Sequence, residues 1–157
     1  MIHLTEHKFV EVIQPASIAQ DTQTDVEIDT RGFDYCNVYV LCGAMGAALD
    51  ICKLAVGDTS GGTFTDIAAA TLGNSACLNL AGTAVALSAT DDNDVICFQV
   101  DMSGRERFLK LMTSTADSSG ASVFGAVAVL GRRRGAHTDV EAEHVVTAAG
   151  DIDVIRV

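Results

Sequence analysis

Apolar and polar residues alternate with a period of two along most of this chain. In the segment CNVYVLC, residues 36–42, the cysteines and valines occupy the even positions, and Asn, Tyr and Leu lie between them. Similar alternation recurs over residues 49–56, 95–101 and 107–113. Successive side chains of a β-strand point to opposite faces of its sheet, so this period predicts strands that each bury one face.

Three further segments complete the predicted strands. Residues 8–13 (KFVEVI) and 24–29 (TDVEID) are shorter, and we expect them near a sheet edge. Residues 121–130 (ASVFGAVAVL) are apolar on both faces, which predicts a central strand or one that a partner covers. Turn clusters such as GDTSGG and DSSG separate the strands, and the one helix-like stretch, TDIAAATLG, is short. This spacing predicts an all-β fold, an antiparallel sandwich or jelly roll.

The pattern changes after residue 135. Residues 136–157 contain two short apolar patches, HVVTA and IDVIRV, which are too small to form a core of their own. We therefore predict two parts, a β-sandwich over residues 1–135 and a C-terminal arm over residues 136–157. The arm is expected to add a strand to a neighbouring molecule. The alternative is an unstructured tail.

The net charge of the chain indicates which class of molecule it binds. Its 157 residues include 10 Lys and Arg against 21 Asp and Glu, a formal net charge of −11. Such a chain repels nucleic acid and anionic membrane surfaces, so we expect protein partners, no nucleic acid and no membrane. The five cysteines form no CxxC motif and lie mostly in strand patterns. They indicate reduced core residues made in a reducing cytoplasm.

The segment GDTSGG, residues 57–62, is close to the sequence around a serine-protease nucleophile. A nucleophilic Ser60 would need a histidine within hydrogen-bond reach and a carboxylate to orient that histidine. All four histidines lie near the termini, and GDTSGG falls between two predicted strands. Asp and Gly are also the residues that tight turns require. We interpret the segment as a hairpin turn and predict no catalytic residue and no enzymatic activity.

Two weaker patterns concern metal ions. The acidic turn TDDND, residues 90–94, groups carboxylates of the kind that Ca²⁺ prefers, but it lacks the ligand spacing of a calcium-binding loop. A solvated turn is the alternative, and the sequence leaves open whether residues 91–94 bind a cation. His3 and His7 are four residues apart without a third ligand. We predict no metal site and no cofactor.

The segment GRRRG, residues 131–135, is the one basic cluster of this acidic chain. Its arginines either bind an acidic protein surface or form a solvated turn. Together with the aliphatic residues of the arm they form the site that we predict for contact with a partner protein or a sister subunit. The predicted residues are Arg132, Arg133, Arg134, Ile152, Val154, Ile155 and Val157.

Three motifs occur in a fixed order: DTRGFDY at 29–35, KLAVGDTSGGTFTDI at 53–67, and DMSGRERFLK at 101–110. A final apolar strand ending in AVAVLGRRR follows them. Over residues 24–134 this order resembles small proteins that are encoded beside the major capsid gene of tailed phages and prophages. The resemblance implies a capsid decoration (cement) protein with a jelly-roll-like fold. Such proteins bind the outside of the capsid lattice and clamp adjacent capsomers.

The resemblance also implies a location and a set of partners. It implies a structural protein of the bacteriophage virion, made in the host cytoplasm and placed on the outer capsid surface. The implied partners are the major capsid protein and further copies of the chain itself, as a dimer or trimer. A competing interpretation is a head-fibre or tail-associated module that binds a receptor or carbohydrate. With no tryptophan and two tyrosines, the chain is poor in the aromatic platforms that sugars stack on.

Overall fold

The computed structural model of the protein describes residues 7–85, 92–116, 120–132 and 152–156. Within these ranges the secondary structure is β throughout, with no helix, as the alternation predicts. The helix-like stretch TDIAAATLG forms a strand, because Ile67 and Ala70 are buried in the core. The strands are β1 (His7–Ile18), β2 (Gln23–Asp29), β3 (Tyr35–Met45), β4 (Leu49–Gly57), β5 (Thr65–Thr71), β6 (Val95–Asp101), β7 (Phe108–Thr115), β8 (Ser122–Gly131) and β9 (Ile152–Arg156).

The strands form two sheets that pack face to face as a sandwich. Sheet A has the order β1-β8-β3-β6-β9, and sheet B has the order β2-β7-β4-β5. Every neighbouring pair is antiparallel except β6 and β9, which are parallel. Strands β1 and β2 lie at sheet edges and β8 lies between β1 and β3, as the sequence predicts.

The core lies between the two sheets and is filled by alternate residues of facing strands. Sheet A contributes Phe98 and Phe124, and sheet B contributes Leu54 and Leu111, all of them fully buried. All five cysteines are buried and free, which confirms that they are reduced interior residues. Burial raises the pKa of the Cys36 thiol to about 12, so this side chain is neutral inside the protein.

The two ends of the sandwich are built differently. At one end Tyr35 of β3 pairs with Asp101 of β6 and with Gly131 of β8. We call this the arginine end, defined by residues 29–35, residues 101–108 and Arg132. At the other end the β3–β4 and β7–β8 connections touch. A Cβ atom on Gly46 or Gly120 would come within 2.5 Å of a backbone oxygen there, so both positions require glycine.

Candidate interaction surface

Ser60 lies in the turn between β4 and β5. These strands pair antiparallel, which confirms that GDTSGG is a hairpin turn. The Ser60 hydroxyl donates a hydrogen bond of 2.8 Å directly to the Glu27 carboxylate on β2, and the backbone N–H of Gly61 donates to the same carboxylate at 3.1 Å. His7 is the histidine that the described ranges contain, and it lies on β1 in the other sheet. Among those ranges no histidine stands beside Ser60, so the Ser–His pair of a serine-protease site is not formed there.

The glycines of this turn satisfy local backbone requirements. Gly61 has a φ of +70°, in the left-handed region that side chains with a Cβ rarely adopt. A Cβ atom on Gly62 would collide with the side chain of Thr59. The hydrogen bond from Ser60 is the largest cause that lowers the pKa of Glu27, so the carboxylate is charged when it holds the turn. The arrangement joins the hairpin to β2 and serves the fold.

The arginine end joins two of the motifs that the sequence singles out. Arg107 forms a bidentate ion pair with Asp29, with N–O distances of 2.8 and 2.6 Å. Hydrogen bonding to Arg107 is the main cause that lowers the pKa of Asp29 to about 2. The Thr30 hydroxyl donates to the backbone oxygen of Arg107 at 2.6 Å. The DTRGFDY and DMSGRERFLK motifs therefore form one hydrogen-bonded structure.

Of the three predicted partner-binding arginines, Arg132 is described, whereas Arg133 and Arg134 lie outside the described residues. The Arg132 Nε donates to the backbone oxygen of Gly32 at 2.9 Å, and its guanidinium carbon lies 5.4 Å from the centre of the Phe33 ring. These contacts hold the end of β8 against the β2–β3 turn. The side chain is exposed, so its charge is presented to solvent at the arginine end.

The outer face of sheet A, which points away from sheet B, is almost free of charge. Three of its side chains are exposed large hydrophobics: Phe9 at 73%, Leu41 at 42% and Val123 at 38%. Among the side chains that the structure describes, the acidic groups of this face lie at its margins, Glu11 on β1 and Asp101 on β6. The outward positions are Phe9, Glu11, Val123, Val127, Val129, Tyr35, Asn37, Tyr39, Leu41, Val95, Cys97, Gln99 and Asp101.

The outer face of sheet B carries opposite charges in pairs. Lys53 and Asp66 are 2.6 Å apart, and Lys110 and Glu27 are 3.6 Å apart. The Lys110 ammonium also lies 4.4 Å from the centre of the Phe64 ring. Such pairs are typical of a solvated protein surface. No sequence motif marks either outer face, although the doubly apolar segment 121–130 indicates that the outer face of sheet A is apolar.

The C-terminal strand occupies a different place from the one that the sequence predicts. We expected residues 136–157 to add a strand to a neighbouring molecule, whereas β9 pairs with β6 of the same chain. Ile155 is fully buried there and forms a bridge with Asn79. Ile152 and Val154 belong to the same strand, and Val157 lies outside the described residues. The physical reason is that β6 has an open edge, which any nearby strand can extend.

The acidic turn is used locally as far as it is described. The backbone N–H of Met45 donates to the Asp92 carboxylate at 2.7 Å, and Asn93 adopts a φ of 66°. Asp91 and His3 lie outside the described residues. Among the described side chains, no group of three or more His, Cys, Asp and Glu is placed to hold a metal ion.

The comparisons with known proteins give no evidence on function, so the geometry of the chain is the evidence. No family model, no curated protein and no solved structure matches this chain. In the part of the chain that the structure describes, no helix is long and apolar enough to cross a membrane.

Proposed function

We propose that this protein decorates the outside of a tailed-phage capsid and stabilises the contacts between capsomers, and that its sandwich is a jelly roll. The motifs at 29–35, 53–67 and 101–110 suggest the role because they resemble those of capsid decoration proteins. Two of these motifs form the arginine end and the third forms the β4–β5 hairpin. Their contacts are structural, as the resemblance implies.

The strand order supports the jelly-roll assignment. A jelly roll results when one long antiparallel ribbon of eight strands is rolled into two sheets. In such a ribbon the first strand pairs with the eighth, the second with the seventh, the third with the sixth and the fourth with the fifth. The pairs β1–β8, β2–β7, β3–β6 and β4–β5 follow that scheme. The pairs β3–β8 and β4–β7 then complete the two sheets.

The observation that carries the functional proposal is the outer face of sheet A, where the described side chains carry charge at the margins and not at the centre. On a chain with a net charge of −11, a face with exposed Leu41 and Val123 and no central charge is suited to burial against another protein. Acidic side chains would repel an acidic partner, and this face lacks them except at its margins. We propose that this face packs on the capsid shell.

The arginine end supplies the second part of the proposed contact. Arg132 presents its charge there, and Arg133 and Arg134 follow it in the sequence. Arginines beside an apolar face would steer the protein toward acidic groups on the shell, with an effect that weakens in salt. A ligand that binds the assembled lattice and not the free subunits stabilises the shell by mass action, and many copies make a weak contact sufficient.

The proposal is tested by adding the protein to bare capsids assembled from the capsid protein that is encoded beside it. We expect co-sedimentation, and a higher temperature of capsid disruption in its presence. Val123→Glu should bind at least about tenfold more weakly, because it buries an unpaired charge on the outer face of sheet A. The matched control is Gln23→Glu, which adds the same charge on exposed β2 of sheet B and should bind as the unaltered protein does.

Two outcomes would contradict the proposal. The first is the absence of binding to the capsid at any salt concentration. The second is equal weakening by Val123→Glu and Gln23→Glu, which would mean that the outer face of sheet A is not the contact. Counting copies per particle separates the alternative role: a decoration protein approaches the number of capsid subunits or a simple fraction of it, whereas a head-fibre or tail module is present in few copies.

A further inference from the structure

The strand β9 is an addition to a sandwich that is paired without it. Strands β1–β8 already pair with one another in both sheets. β9 extends sheet A at the β6 edge through five residue pairs, from Val95↔Ile152 to Gln99↔Arg156. It is also the one parallel strand among those described. The eight-stranded body therefore offers a preformed edge that β9 fills.

The connection between β8 and β9 is long compared with the distance it has to cover. β8 ends at Gly131, beside Tyr35 and Asp101, whereas β9 begins beside Val95 at the opposite end of β6. The two points are roughly 25 Å apart, from a strand rise of about 3.3 Å and a strand spacing of about 4.8 Å. Residues 133–151 can extend to about 60 Å. This surplus length allows the same strand to reach the β6 edge of an adjacent copy.

The described side chain that holds β9 on the body is Ile155. Ile155 is fully buried and bridges Asn79, so it anchors the strand between β6 and the connection that follows β5. A second copy of the chain would present the same Ile155 to the same edge, with the same hydrogen bonds. Exchanging an identical element between copies costs little contact energy for this reason.

We propose that the edge of β6 over Val95–Gln99 is an acceptor site for the C-terminal strand, Ile152–Arg156, of a second copy of this chain. Within one chain the connection gives β9 an effective concentration of the order of 1 mM. Pairing of β9 with another copy competes with pairing inside one chain when the copies reach or exceed that concentration. Copies that are held side by side meet this condition. The inference concerns the chain by itself and holds or fails independently of capsid binding.

The test mixes two variants of the full chain, each with one added cysteine, in the presence of air as the thiol oxidant. One carries Gln99→Cys and the other Arg156→Cys, at positions that pair across β6 and β9. A disulfide between the two different chains then forms only when β9 of one lies on β6 of the other. The native cysteines are buried and do not interfere. We expect the covalent heterodimer to rise with protein concentration and to be the main cross-linked product above about 1 mM.

Three controls decide the result. The double variant Gln99→Cys/Arg156→Cys should close within one chain at low concentration; if it does not close, β9 is not beside β6 and the proposal fails. Gln23→Cys, exposed on β2 of the other sheet, should give no heterodimer with Arg156→Cys, and a heterodimer here would overturn the proposal as non-specific. Adding Ile155→Asp to the Arg156→Cys chain should abolish the heterodimer. Closure of the double variant with no heterodimer at any concentration also overturns it.

Discussion

The two outer faces of this sandwich cover the same core and differ in charge. The outer face of sheet B pairs Lys53 with Asp66 and Lys110 with Glu27, at the ordinary distances of surface ion pairs. The outer face of sheet A carries valines, tyrosines and Leu41 in the corresponding central positions. Water solvates paired charges well, whereas exposed aliphatic groups gain by leaving water. The contrast shows that folding requires one face of each sheet to be buried. The residue types on the other face are not fixed by the core and can serve function.

The largest expected effect is the difference in stability between truncating a core residue and truncating a residue of the same type on an outer face. Phe98→Ala removes a fully buried ring and should lower the free energy of unfolding by about 3–5 kcal/mol. Phe9→Ala, on the outer face of sheet A with 73% of its side chain exposed, is the matched control and should change it by less than about 1 kcal/mol. Urea unfolding followed by circular dichroism measures both. Equal losses would mean that Phe9 belongs to the core.

A second prediction concerns the irregular part of β1 between Ile13 and Ala16, which lies beside Gly125 of β8. A Cβ atom on Gly125 would lie 2.8 Å from the Pro15 ring, so Gly125→Ala should lower the free energy of unfolding by about 1–3 kcal/mol. Gly43→Ala is the control on the same face, since its nearest contacts, all with Val123, lie at 3.2 to 3.3 Å and so are less close. It should cost less in the same unfolding experiment. A larger loss for Gly43→Ala would contradict the packing.

On the sheet B side, the pairing of charges predicts a dependence of stability on pH. The pKa of Asp29 is lowered to about 2 from an ordinary value near 3.8, so its carboxylate stabilises the fold above that ordinary value. This contribution is lost as the pH falls toward 2. Asp29→Asn should therefore lower the melting temperature at pH 6 and have little effect near pH 2. Asp25→Asn, on the same strand, is the control, and an equal pH-dependent loss there would refute the role of Arg107.

The smallest expected effect is at Ser60. Ser60→Ala removes one exposed hydrogen bond to Glu27, and the Gly61 N–H retains its bond to the same carboxylate. The free energy of unfolding should change by no more than about 0.5 kcal/mol. Gly61→Val, which forces a branched side chain into φ +70°, should cost about 1–2 kcal/mol. Labelling of Ser60 by a serine-reactive phosphonate would contradict its role as a turn residue.

Local sequence patterns carry most of the information about the strands and little about the site. The alternation in CNVYVLC predicts β3 because a period of two is a property of a strand by itself. The bonds from Ser60 to Glu27 and from Arg107 to Asp29 join residues far apart in the chain. No local pattern marks such pairs, because either side chain could be solvated equally well in an isolated segment. The outer face of sheet A is predicted in part. Segment 121–130 indicates a strand with two apolar faces, but the pattern does not identify what covers the outer one.

The sequence by itself determined the all-β class, the hairpin turn at GDTSGG and the reduced state of the cysteines. Each depends on the spacing of side chains along a strand or on the backbone freedom of glycine, and these act over a few residues. Only the tertiary structure decided the order of strands in each sheet, which residues point outward and where the C-terminal strand lies. IDVIRV can pair with any open strand edge, so its place on β6 follows from which edge the folded body leaves free and from the burial of Ile155 there.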